Sequence, residues 1–193
     1  MGLDMYLKRA NLHGYTPKQA KAASAYYSMM EHNKKHPEDL CTSLYEWEFI
    51  DDSLLDMGAV EALRPEYQQR YLDFGFGKPI LGYPDVFEQV GYWRKANAIH
   101  SWFVGNVQDN HDDCEIYLVT RAQLEELKSI CELILSHEAS PNEALPACNG
   151  FFFGSTEYDE DYYSDLRKTV EIIDSVIAET DWEVESICYE ASW

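Results

Sequence analysis

The stretch from Gly91 to Phe103, GYWRKANAIHSWF, concentrates residue types that can do chemistry. Read as one helix, it sets Trp93, Asn97 and His100 at i, i+4 and i+7, so a large ring and two hydrogen-bonding heads project from one face. On that reading His100 acts as acid, base or donor, because an imidazole titrates near neutrality. Asn97 orients the bound group, and Arg94 or Lys95 holds an anion. His100, Asn97 and Arg94 are then the catalytic candidates of a small-ligand or nucleotide-related enzyme or binding protein. A plainer reading stands beside it: Trp93 is core, Asn97 and His100 satisfy buried backbone, and Arg94 pairs with a carboxylate.

Gly150 to Tyr158, GFFFGSTEY, is the second unusual stretch. Glycines around a strand end that feeds a helix N-terminus can let backbone amides cradle an anion. Glu157 and Asp159 already supply carboxylates there, which disfavours a phosphate. Glu157, Asp159, Glu160, Asp161 and Asp165 form the densest acidic cluster and, with Trp93 and Lys95, are the candidates for binding a partner. The same cluster also suits helix capping and the macrodipole. Histidine spacing in His32 to His36 (HNKKH) and the mixed donors of His111 to Cys114 (HDDC) lack a third and fourth ligand in sequence, so no metal is expected. Five cysteines without a CxxC spacing or a signal-peptide pattern read as reduced thiols of a cytoplasmic protein, and none stands in an electropositive setting that would make it a nucleophile.

These residues need elements to position them. Leu3, Met5 and Leu7 alternate with polar neighbours and predict an opening strand. Thr16, Pro17 and Gln19 form a capping-box start for a helix ending near His36, before Pro37. Residues 44–50 put Tyr45, Trp47 and Phe49 on one face and Glu46 and Glu48 on the other, a strand pattern. Ala59 to Asp73 reads as a short helix, a turn at Arg64–Pro65 and a second helix from Pro65. Phe74 to Pro84 reads as a Gly- and Pro-rich surface loop without phosphate-loop spacing, and Asp85 to Val107 as a helix.

Further on, residues 114–119 predict a strand, and Thr120 caps a helix with the stripe Leu124, Leu127, Cys131, Ile134 and Leu135. Thr156 and Asp159 look like a capping box for a long helix to about Thr180, and residues 182–186 predict a last strand. Strands and helices intersperse without βα alternation or a Gly-rich nucleotide fingerprint. The expectation is therefore a single α+β domain over 1–193. It has about five short strands in a mixed or mostly antiparallel sheet, four to five packed helices, and no cofactor. Pairing of the two terminal strands would be economical.

The chain of 193 residues carries 35 Asp and Glu against 15 Lys and Arg, a formal charge of −20. That excludes a basic nucleic-acid binder. Residues 1–36 are net +4, whereas 37–90 are −9, 111–150 are −6 and 151–193 are −10. The acid lies on the outer faces of elements with apolar stripes, so folding displays it as a surface that attracts basic partners. No window approaches the roughly 18 apolar residues of a membrane span.

At MGLDMYL (residues 1–7), GYWRKANAIH (91–100) followed by Trp102 and Phe103, and GFFFGSTEYD (150–159), the chain resembles a family of small uncharacterised proteins of phages and prophages. The resemblance implies the cytoplasm of a phage's host, where small acidic proteins bind and disable host machinery. The first functional expectation is accordingly an acidic interaction protein that docks on a basic, nucleic-acid-handling surface of a host protein, as an inhibitor of a defence system, without direct nucleic-acid or membrane binding. The alternative is the small-ligand site on the 91–103 stretch.

Overall fold

The computed structural model describes residues 2–68, 84–150 and 153–193. It is an α+β protein, as expected, and it divides into two compact units. One is formed by Met1–Arg9 with Gln89–Trp193; the other is the continuous segment Ala10–Glu88.

The first unit is built on a four-stranded antiparallel sheet. Its strands are β1 (Asp4–Ala10), β4 (Glu88–Arg94), β5 (Tyr117–Val119) and β6 (Ser186–Ser192), in the order β4-β1-β6-β5. The two terminal strands are thus neighbours. Leu3, Met5 and Leu7 turn inward and are fully buried. Against that face pack apolar side chains of α4 (Asn97–Asn106), α5 (Arg121–Leu135) and α7 (Glu160–Glu179), among them Ile99, Leu124, Leu127 and Leu166. On the other face Lys8 Nζ bonds the Glu190 carboxylate at 2.6 Å. A short helix α6 (Pro141–Ala144) lies between α5 and α7 in sequence.

Local chemistry explains the helices. Thr120 accepts from the Gln123 backbone N–H while the Gln123 side chain bonds the Thr120 backbone, closing a capping box. Leu124, Leu127, Cys131 and Ile134 form the buried stripe at helical spacing. The α7 cap is Asp159 alone, not a Thr156–Asp159 box; its side chain accepts from Asp161 and Tyr162 N–H. The helix ends at Thr180 as expected, and of its stripe Tyr162, Leu166 and Ile173 are buried. The last strand begins only at Ser186, because Trp182 to Val184 make a turn closed by Val184 N–H to Asp181 O.

The stretch expected to be one helix from Asp85 is a strand and a helix. Gly91 shows why: a Cβ there would meet Ile172 Cγ2 at 2.7 Å and Leu7 Cβ at 3.2 Å, so β4 lies against β1 and α7 at a distance only glycine permits. Val90, Tyr92 and Trp93 favour the pleat, and the chain bends at Lys95 before α4 begins. Trp93 therefore does not share a helical face with Asn97 and His100.

In the second unit, α1 (Pro17–Lys35) starts on the expected Thr16–Gln19 capping box with Pro17 in its first turn and is C-capped by His36. Residues 44–50 are not a strand. They form α2 (Leu44–Glu48), started by Ser43, which accepts from Tyr45 and Glu46 N–H, and held further by the Asp52 carboxylate on Leu44 N–H. Side chain-to-backbone bonds outweigh an alternation only a few residues long. The three rings separate accordingly: Trp47 donates to Ser28 Oγ at 2.6 Å, while Tyr45 and Phe49 are exposed, Phe49 at 82%. α3 (Met57–Ala62) is capped by Asp56. No helix starts at Pro65; Tyr67–Gln68 is a short strand β2 paired with β3 (Pro84–Asp85). The rest of that expected helix, the Gly-rich stretch up to Tyr83, and Phe151 and Phe152 lie outside the described residues. Among the described residues no helix is long and apolar enough to cross a membrane.

Candidate functional site

The first unit carries 22 Asp and Glu against 8 Lys and Arg, a net of −14. Within it, a cleft of about 410 Å³ opens where β4 hands over to α4. Arg94, Lys95 and Asn97 line it from that junction, and Gly154, Ser155 and Glu157 from the segment ahead of α7. The cap and first turns of α7 add Asp159, Asp161 and Asp165. The two stretches singled out from sequence thus meet in one place. The volume falls in the range of small-molecule sites.

Asn97 holds the walls together. It is 5% exposed, and its amide nitrogen donates to Ser155 O at 2.7 Å and Phe153 O at 3.2 Å, while its oxygen accepts from Cys148 N–H at 3.0 Å. All three partners are backbone groups of the segment 148–155. Asn97 is therefore a positioning residue: its buried amide supplies partners to three backbone groups of an irregular segment.

Lys95 sits at φ +62°, a left-handed conformation that a long side chain adopts only when its surroundings hold it there. Its N–H donates to Leu3 O at 2.8 Å, and its carbonyl accepts from Asn97 N–H at 2.9 Å. Across from it Gly154 has φ +96°, and a Cβ there would stand 3.2 Å from Lys95 O. Glycine at 154 thus meets both a backbone and a packing requirement.

Among the described residues neither Arg94 nor Lys95 forms an ion pair, although both are exposed and line the cleft together with four carboxylates. Asp159 spends one oxygen on capping α7. Glu160, in the same sequence cluster, turns away and pairs with Arg167. Asp165 is half-buried, and burial pushes its carboxyl up to about 6, with Asp161 and Asp159 adding to the rise and Lys168 opposing it.

That shift carries a sign. Between 3.8 and about 6 the folded chain holds the Asp165 proton and the unfolded chain has released it, so ionisation above this window weakens the fold. Asp165→Asn is therefore expected to raise Tm at pH 8 and to lose the gain as pH falls to about 4. Thermal melts across that range check this; a variant less stable than the parent at pH 8 would mean that favourable contacts hold the carboxylate.

Trp93 and His100 do not reach the cleft. Trp93 is 0% exposed, and its indole N–H donates to Thr169 Oγ1 at 2.9 Å; Thr169 in turn donates to Asp165 O at 2.7 Å. It supports α7 from behind. His100, 1% exposed, bonds Asp112 Oδ1 through Nε2 at 3.0 Å and Tyr189 Oη through Nδ1 at 2.7 Å. A carboxylate only accepts, so Nε2–H donates and Nδ1 accepts from the Tyr189 hydroxyl. Burial lowers the basicity of this imidazole, and Asp112 partly restores it. Tyr189 is buried too and stacks on Phe103 at 3.9 Å. His100 is therefore locked in the core with neither nitrogen free to act on a substrate.

Sequence reasoning missed Tyr189 and Asp112 as its partners, since 89 residues separate the first from His100. It also missed the left-handed Lys95, for which the Arg-Lys-Ala-Asn run offers no glycine as a signal. Burial pushes the thiols of Cys131 and Cys188 up to about 12, which leaves them unreactive. Among the described residues no group of three His, Cys, Asp or Glu gathers as a metal site; His32 bonds Asp39 O, and His111 is exposed. Comparison with family models, curated proteins and solved structures finds no match to this chain.

Proposed function

We propose that the chain is a binding protein whose site for a small molecule is the cleft between the β4–α4 junction and the start of α7. The observation that carries this is the convergence of Arg94 and Lys95 with Asp159, Asp161 and Asp165 in one cavity, without an ion pair to either cation among the described residues. Opposite charges held around a cavity and left unneutralised are available to a ligand. Asn97 keeps the walls in place, and Asp165 can take up a proton near pH 6. A thermal-shift panel of amino acids, dicarboxylates, phosphates and polyamines tests it. At least one class should raise the Tm of the parent and not of Arg94→Gln. No shift from any class, or a shift unchanged in that variant, overturns the proposal.

A second reading is favoured by the net −14 of this unit. Glu157, Asp159 and Asp161 are exposed and leave the cleft rim acidic. Such a rim suits docking on a basic, nucleic-acid-handling surface of a host protein. With the phage-family resemblance it supports an inhibitor acting on a defence system in the host cytoplasm. Association on that reading weakens steeply with ionic strength.

A further inference from the structure

The charges that line the cleft specify more than a ligand; they specify its charge pattern. Arg94 and Lys95 provide two cations at the β4–α4 junction, and Glu157, Asp159, Asp161 and Asp165 provide four carboxylates from the segment and helix that follow. A purely anionic ligand would meet four carboxylates, and a polyamine would meet two cations. Each would set like charge against like charge, which weakens binding. A molecule carrying one anionic group and an excess of cationic groups complements both sets.

We propose that the cleft binds a basic amino acid, with its carboxylate on Arg94 and Lys95 and its ammonium and side-chain cation on Asp165, Asp161 and Glu157. The inference rests on the cleft being a ligand site. Free arginine or lysine carries all three groups, and the C-terminal residue of a basic peptide shares the carboxylate and the side-chain cation but not the α-ammonium. The backbone supports the assignment. Lys95 is held in its left-handed conformation by bonds to Leu3 O and from Asn97 N–H, so its stem leaves the chain at a set point of the wall. Gly154 keeps the facing backbone close to it.

Isothermal titration of the full chain at pH 7.5 tests this with L-arginine, L-lysine, agmatine, spermidine, succinate, inorganic phosphate and a short peptide ending in Arg. Arginine should bind at least about tenfold more tightly than agmatine, which is arginine without its carboxylate. Arg94→Gln and Lys95→Gln, both at exposed positions, should abolish that preference while leaving the melting curve unchanged. Asp165→Asn should weaken every cationic ligand. The peptide binding more tightly than free arginine would assign the chain-terminal source; the reverse assigns the free amino acid.

Agmatine binding as tightly as arginine overturns the basic-amino-acid assignment. So does tighter binding of succinate or phosphate, and in both cases the cleft stays a ligand site. Heat from none of the seven probes overturns the assignment as well; a positive thermal-shift panel would then show that the cleft binds another class.

Discussion

Replacing Trp93 by alanine is expected to cost the first unit about 3–5 kcal/mol, the range of large aromatic deletions from well-packed cores. The ring is fully buried, with Phe103 6.1 Å away centroid to centroid, and its N–H bond to Thr169 is lost with it. Urea unfolding followed by circular dichroism measures the loss. A cost below about 1 kcal/mol would contradict a core role, since surface changes stay near that scale. Trp93→Phe separates packing from polarity: it keeps most of the apolar volume and removes the indole donor. It should cost about 1–2 kcal/mol, because Thr169 still donates to Asp165 O and its hydroxyl is not orphaned as a donor. As Trp93 supports α7 rather than a ligand, Trp93→Phe should change ligand affinity far less than Arg94→Gln.

Asn97→Ala is the second large effect, about 2–4 kcal/mol, together with loss of binding in the cleft. Removing the amide leaves Cys148 N–H and the carbonyls of Phe153 and Ser155 without their side-chain partner, and buried Phe153 is the least able to replace it with water. The wall that includes Gly154 and Ser155 is then no longer fixed against Lys95. Asn97→Asp tests the mechanism, since it keeps the acceptor for Cys148 and loses both donors. It should fail nearly as badly as alanine. If either variant retained full stability and affinity, the segment would be positioned by other contacts, and Asn97 would be a bystander.

Both predictions separate holding a site from forming one. Of the candidates read from sequence, Arg94, Lys95, Asn97, Glu157, Asp159, Asp161 and Asp165 line the cleft, whereas Trp93, His100 and Glu160 do not. His100 shows the difference most plainly. Its residue type and spacing suggest acid–base chemistry, yet both nitrogens are committed to Asp112 and Tyr189. A histidine's reactivity depends on what occupies its two nitrogens, and here one partner comes from the last strand of the chain.

What the sequence determined by itself is local. The capping boxes at Thr16 and Thr120, the buried stripe of α5 and the alternation of Leu3, Met5 and Leu7 appear as read, because each depends on side chains within a few residues of one another. The surplus of acid was also legible, as net charge needs no fold. Only tertiary structure decided that 91–103 breaks into a strand and a helix, since the space at Gly91 is set by Leu7 and Ile172. The helix at 44–48 is a different case: its contacts, the Ser43 cap and Asp52 on Leu44 N–H, are local, and the short apolar alternation masked them. Tertiary structure also placed Arg94 and Lys95 in the lining of one cleft with Asp165, some 70 residues away, because antiparallel pairing and helix packing join segments whose separation along the chain leaves no periodic trace.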